Sequence, residues 1–299
     1  MTGKNAIETR GLTKRYGRAR GITDVDLTVP EGDFLGFIGP NGAGKSTTIR
    51  ILLGLIAPTG GEARIFGEDV RGKRTEVLAR IGYMPSEACF YRGMRVGEVL
   101  KYSAGLRKQD CREQAGRLCE RLELDVGKRV DQLSLGNRKK VSIICALQHN
   151  PELCILDEPT SGLDPLIQRE FYRILQERNK AGATIFLSSH VLSEIQKYCR
   201  HAAVIREGRI LACDSVESLG HTNAKNVTLW GVTAPPALAG IRNVKAEDGS
   251  VSFLYSGEAG ELLKALASLP VTDINITEPD LEEIFMHYYK EEAHDNIEA

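Results

Sequence analysis

The stretch that decides the fold is residues 33–55, which read Asp33-Phe34-Leu35-Gly36-Phe37-Ile38-Gly39-Pro40-Asn41-Gly42-Ala43-Gly44-Lys45-Ser46-Thr47-Thr48-Ile49-Arg50-Ile51-Leu52-Leu53-Gly54-Leu55. Residues 33–39 are a short, mostly apolar run, as a buried strand requires. Residues 47–55 read as a helix. The glycine-rich loop between them makes a strand–loop–helix unit. Gly39, Pro40, Asn41, Gly42, Ala43, Gly44, Lys45, Ser46 and Thr47 fit the pattern G-x-x-x-x-G-K-[ST]. Glycines let the backbone curl so that successive N–H groups point at a phosphate, and the helix that follows aims its positive end at the same place. Lys45 would reach the β- and γ-phosphates of a nucleoside triphosphate, and Ser46 would offer its hydroxyl to Mg²⁺.

Working outward, Leu153-Cys154-Ile155-Leu156-Asp157-Glu158 is a second apolar run, and it ends in two carboxylates. Asp157 is expected to hold Mg²⁺ opposite Ser46, and Glu158 to face the γ-phosphate and polarise the attacking water. The competing reading is that the acidic pair only caps the helix after Pro159. His190 follows Ser188-Ser189 at the end of an apolar strand over 184–187, where it could touch the γ-phosphate or serve a structural role, the commoner case for a lone histidine. Tyr16 could stack on adenine or pack in a sheet.

The rest of the chain alternates strand and helix patterns. Residues 7–37 begin with short strands, with Pro30-Glu31-Gly32 as a turn. From about 95 to 150 the period is helical, as in Val96, Val99, Leu100, Ser103 and Leu106, then Ala115, Leu118, Cys119 and Leu122. A helix is expected near 165–180, another around Leu192, Ile195 and Cys199, and a hairpin about Glu207-Gly208. Such alternation argues for a largely parallel sheet. Beyond about 220 the texture changes. Asp248-Gly249 reads as a hairpin turn before Val251, Phe253 and Tyr255, and Leu262, Leu263, Leu266 and Leu269 form one helical stripe. Leu281, Ile284, Phe285 and Tyr288 form a second stripe, with Pro279 in its first turn.

Composition narrows the partners. The 299 residues carry a formal net charge of −1, which indicates no strong attraction to nucleic acid or to an anionic membrane. No apolar run approaches the roughly 18 residues that span a bilayer, and the first residues lack the apolar stretch of a signal peptide. The chain is expected in the cytosol, with any membrane role supplied by a partner. Seven cysteines with no Cys-x-x-Cys spacing read as reduced structural thiols rather than metal ligands.

Taken together, these segments resemble the ATP-binding cassette (ABC) family of transporter ATPases over about residues 7–215. Leu133-Ser134-Leu135-Gly136-Asn137 resembles the family's LSGGQ signature, Ser161-Gly162-Leu163-Asp164 its D-loop, His190 its switch histidine and Tyr16 its adenine platform. The resemblance implies an α/β P-loop nucleoside triphosphatase with helical and antiparallel β subdomains and a small C-terminal α+β extension. It implies an ATP-binding domain over 5–218 with its helical part about 87–150, a small α+β domain over 222–290, and a disordered tail over 291–299. ATP and Mg²⁺ are the implied ligands. In the family two subunits clasp two ATP molecules head to tail. Ser134 and Gly136 of one chain would thus complete the site around Lys45 of the other, and the D-loop Asp164 is implied as a nucleotide-binding residue. The implied partners are a multi-span membrane permease and a second ATP-binding subunit, identical or paralogous, at the cytoplasmic face of the membrane.

Two departures stand out. The family usually has Gln after Gly-Tyr-x-Pro, touching Mg²⁺ and water, but Gly82-Tyr83-Met84-Pro85 is followed by Ser86 and Glu87. Leu135 and Asn137 replace a Gly and the Gln of the signature. Residues 86–95, with Phe90, Tyr91 and Met94, would form part of the groove for the permease's coupling helix, or pack within the chain. The C-terminal block resembles that of bacterial drug- and peptide-exporter ATPases, which favours export. A DNA-repair or chromosome-organising ABC ATPase would carry long heptads between Lys45 and Ser134, and none is sustained here. A nucleotide-gated regulator with little hydrolysis is the alternative that Ser86 and Leu135 suggest, against which Glu158 and His190 weigh.

Overall fold

The computed structural model describes residues 4–17, 19–72, 74–220, 224–247 and 249–277. The chain divides into two compact units, residues 1–214 and 215–299.

At the centre of the first unit is a six-stranded sheet in the order Arg209–Ser215, His201–Arg206, Phe34–Ile38, Thr184–Ser189, Leu153–Asp157, Ile81–Met84. Phe34–Ile38 pairs in parallel with both of its neighbours, and Leu153–Asp157 does the same. The three central strands are buried at every residue. That is why they read as continuous apolar runs rather than alternating ones: helices cover both faces of a parallel sheet. Phe37 and Phe186 meet across adjacent strands at 5.3 Å between ring centroids. The turn Glu207-Gly208, at φ +51° and +82°, makes the expected hairpin at the sheet's edge.

The expected short strands of 7–37 differ in the structure. Asn5–Tyr16 and Ala19–Pro30 are twelve residues each and pair antiparallel, with register shifts, in a separate four-stranded sheet. Bulges hide such length in a sequence, because each one breaks the two-residue alternation. The helical segment comprises Val96–Leu106, Arg112–Arg121 and Leu135–Leu147, which bury Val99, Leu100, Leu118, Ile143 and Ile144. Cys119 and Cys154 are buried free thiols, and burial pushes Cys154 up to about 12.

The second unit is a four-stranded antiparallel sheet in the order Ile241–Glu247, Ser250–Ser256, Ala224–Trp230, Asp273–Thr277. Helix Ala259–Leu266 buries Leu262 and Leu266 with Val227, Leu229, Phe253 and Tyr255. Leu263 is 58% exposed, so the leucine stripe is narrower than its spacing predicts. The expected helix around 281–288 and the tail 291–299 lie outside the described residues. Among those described, no helix is long and apolar enough to cross a membrane.

Candidate active site

The loop after strand Phe34–Ile38 leads into helix Lys45–Leu52, whose N-cap is Gly44 at φ +113°, with no side-chain cap. An L-residue would be strained there, and a Cβ would lie 2.6 Å from Ile22 Cγ2. Glycine thus brings the loop against the sheet and leaves the helix's first N–H groups open, the arrangement that binds phosphate. A cavity of about 360 Å³ is lined by Pro40, Asn41, Gly42, Gly44, Lys45, Ser46 and Thr47 of this loop, with Gly21, Ser86 and Glu158. Ala43 faces the core, and its carbonyl accepts from Gly208 N.

Lys45 is buried, and its ammonium donates to the Gly39 carbonyl at 2.5 Å and to that of Pro40 at 3.3 Å. The same Nζ lies 3.2 Å from Glu158 Oε1. Across the sheet, Asp157 is 2% exposed. A buried carboxylate is costly unless its oxygens are bonded, and both are: Ser46 Oγ donates to Oδ2 at 2.9 Å and Ser188 Oγ to Oδ1 at 2.6 Å. This hydroxyl–carboxylate pair is an all-oxygen donor set of the kind Mg²⁺ takes. Burial, chiefly, and the nearby Asp157 raise the Tyr83 hydroxyl above its usual range.

Glu158 adopts φ +49°, and its N–H donates to Ser188 O and Oγ at 3.2 and 3.1 Å. Its Oε2 accepts from His190 Nδ1 at 2.6 Å. Since a carboxylate only accepts, Nδ1 carries the proton and Nε2 is left for a ligand. Oε1, buried, has no hydrogen-bond partner among the described residues although Lys45 is at ion-pair distance. Among the described residues, Glu158 Oε1 thus meets only the ammonium of the phosphate-loop lysine.

The acidic pair does not cap the next helix. That helix is Pro165–Lys180, and Asp164 caps it, accepting from Leu166 N and Ile167 N at 3.1 and 3.0 Å. Ser134 caps helix Leu135–Leu147 by accepting from Asn137 N at 3.3 Å. Ser134, Gly136, Asp164 and Tyr16 do not line the cavity. Tyr16 is 41% exposed, with the Lys14 ammonium 5.3 Å from its ring centroid. The bulky Leu135 lies over the D-loop: a Cβ on Gly162 would be 3.1 Å from Leu135 Cδ2, and one on Gly136 would be 2.8 Å from Gly162 O. Sequence reasoning missed Gly21, and also Lys139, whose Nζ donates to the Glu158 carbonyl at 2.8 Å. Nothing in the local pattern marks either one. Glu194 was missed too; it accepts from Thr160, Tyr172 and Ser189 hydroxyls behind the site.

The geometry has clear relatives. The family model described as ABC transporter matches residues 22–161. The bacitracin transport ATP-binding protein BcrA of Bacillus licheniformis is 36% identical over 297 residues, 94% of this chain and 96% of that protein. The Nod factor export ATP-binding protein I of Cupriavidus pinatubonensis is 32% identical over 97% of this chain and 92% of its own length. A solved ATP-binding subunit of an ABC transporter superposes with a TM-score of 0.68 at 29% identity, over 72% of this chain and 91% of that one. Because relatives at 36% and 32% identity span nearly the whole chain and the family model matches residues 22–161, this chain belongs to the ATP-binding cassette transporter family, as an ATP-binding and ATP-hydrolysing subunit.

Proposed function

We propose that the cavity at residues 39–47 is one half of a hydrolytic site that powers an exporter. Lys45 and the open N–H groups of its helix hold the β- and γ-phosphates. Ser46 and Asp157, with Ser86 beside them, would hold Mg²⁺, whose charge offsets that on the phosphate oxygens. Glu158 orients a water for in-line attack on the γ-phosphorus and takes its proton, while His190 Nε2 faces the γ-phosphate. The observation that carries this reading is the chain Lys45–Glu158–His190, with Glu158 Oε1 short of a hydrogen bond.

Tyr16 is the adenine platform, and Ser134, Gly136 and Asp164 of a second subunit, identical or paralogous, close the site. Tyr91, 70% exposed, meets Tyr102, 50% exposed, edge-on at 6.1 Å. Such an aromatic pair suits a protein partner, here the coupling helix of a multi-span permease that keeps the chain at the cytoplasmic face of the membrane. A relative named for Nod factor export supports the outward direction. All of these groups lie in the first unit, residues 1–214, which is the catalytic one.

The test is Glu158→Gln. It should lower kcat by about 10²- to 10⁴-fold and let an ATP-dependent dimer accumulate on a sizing column. Undiminished hydrolysis would remove Glu158 from the reaction.

A further inference from the structure

Lys139 lies on helix Leu135–Leu147, whose N-terminus carries the signature, and is only 2% exposed. Burial pushes its ammonium below the ordinary lysine range, an effect that the carboxylates of Asp157, Glu158 and Glu87 partly offset. The position is buried, between Arg138 and a buried Lys140, and an apolar side chain would fill it at no electrostatic cost. The lysine does not line the nucleotide cavity. Its Nζ instead donates to the main-chain carbonyl of Glu158 at 2.8 Å.

Glu158 is where such a bond matters. Its φ of +49° is a region that residues with a Cβ avoid, and it persists only when neighbours hold it. The N–H of Glu158 is held by Ser188, at the end of strand Thr184–Ser189. Its C=O is held by Lys139. Both main-chain groups of this residue are thus tied to other elements, and the side chain between them reaches Lys45 and His190.

We propose that Lys139 is a positioning residue that holds Glu158 in its reactive geometry and makes that geometry depend on the placement of the signature helix. The inference rests on the reading of Glu158 as the base for water.

The test is Lys139→Met in the full chain, a substitution that keeps length and burial and removes the donor. The expected result is a kcat lower by about 10- to 100-fold. KM for MgATP, and the affinity for a fluorescent ATP analogue, should stay within about twofold of the parent. The thermal unfolding midpoint should hold or rise. In a Glu158→Gln background the same change should have no further effect on the residual rate. If Lys139→Met turns over like the parent while Glu158→Gln does not, the positioning role is overturned and Glu158 remains the base. A joint fall in kcat, nucleotide affinity and unfolding midpoint would make Lys139 a structural residue, which also overturns the proposal. Turnover surviving in Glu158→Gln would instead remove the assignment of Glu158, and this inference with it.

Discussion

Two helices of the first unit begin in contrasting ways, and both lead to Glu158. Helix Lys45–Leu52 starts from a left-handed glycine with no side-chain cap, so its N–H groups are open to a ligand. Helix Leu135–Leu147 starts from an extended Ser134, whose own hydroxyl already serves Asn137 N. The first end is built to receive phosphate within one chain. The second is satisfied by itself, and offers a hydroxyl and a glycine on the surface. Each helix then sends a buried lysine to the same residue, Lys45 to the carboxylate of Glu158 and Lys139 to its carbonyl.

The contrast can be broken at its binding end first. Lys45→Ala removes the ammonium that faces the phosphates and leaves Glu158 Oε1 beside them without its ion-pair partner. ATP affinity should fall by about 100-fold or more in a nucleotide titration of the isolated chain. A drop below threefold would mean that the open helix end alone does the binding. Gly136→Ala probes the capped end. A Cβ there meets Gly162 O at 2.8 Å, so signature and D-loop must part by a few tenths of an ångström. ATP affinity of the single chain should hardly change, while the ATP-dependent dimer weakens by about tenfold in analytical ultracentrifugation. Equal losses in both measurements would erase the distinction between the two ends.

The smallest effect concerns the far end of the signature helix. His149, just past it, is buried and bonded through Nε2 to Ile81 O, and burial pushes its imidazole down to about 4. An unfolded chain takes up that proton near the ordinary value of 6.5, and the folded chain does not. Stability therefore falls as pH drops from 6.5 toward 4, and is unaffected by this group above that window. His149→Gln keeps a donor for Ile81 and cannot titrate. Its unfolding midpoint should lose less than the parent's between about pH 7.5 and about pH 5. Parallel losses would show that His149 stays out of the transition.

Much of the site was legible because it is local. The phosphate loop is nine consecutive residues between a strand and a helix, and the acidic pair ends an unbroken apolar run. The segments that resemble a signature, a D-loop and a switch histidine are short ones of the same kind. Legibility failed where bulges lengthen the first two strands, where Leu263 turns outward from its stripe, and where one side chain bonds a distant backbone atom. Lys139 looks like any lysine in a run of basic residues, and Gly21 like any glycine in a strand.

The sequence by itself determined that this chain cradles a nucleotide's phosphates, for glycine spacing and helix polarity are properties of neighbours along the chain. Only the tertiary structure decided which groups grip Glu158 and which ends are open or capped. Those depend on contacts such as Ser46 with Asp157, 111 positions apart, which no local pattern encodes. The parallel sheet sets them, because it brings the ends of separate strands to one edge and lets buried charges find partners there.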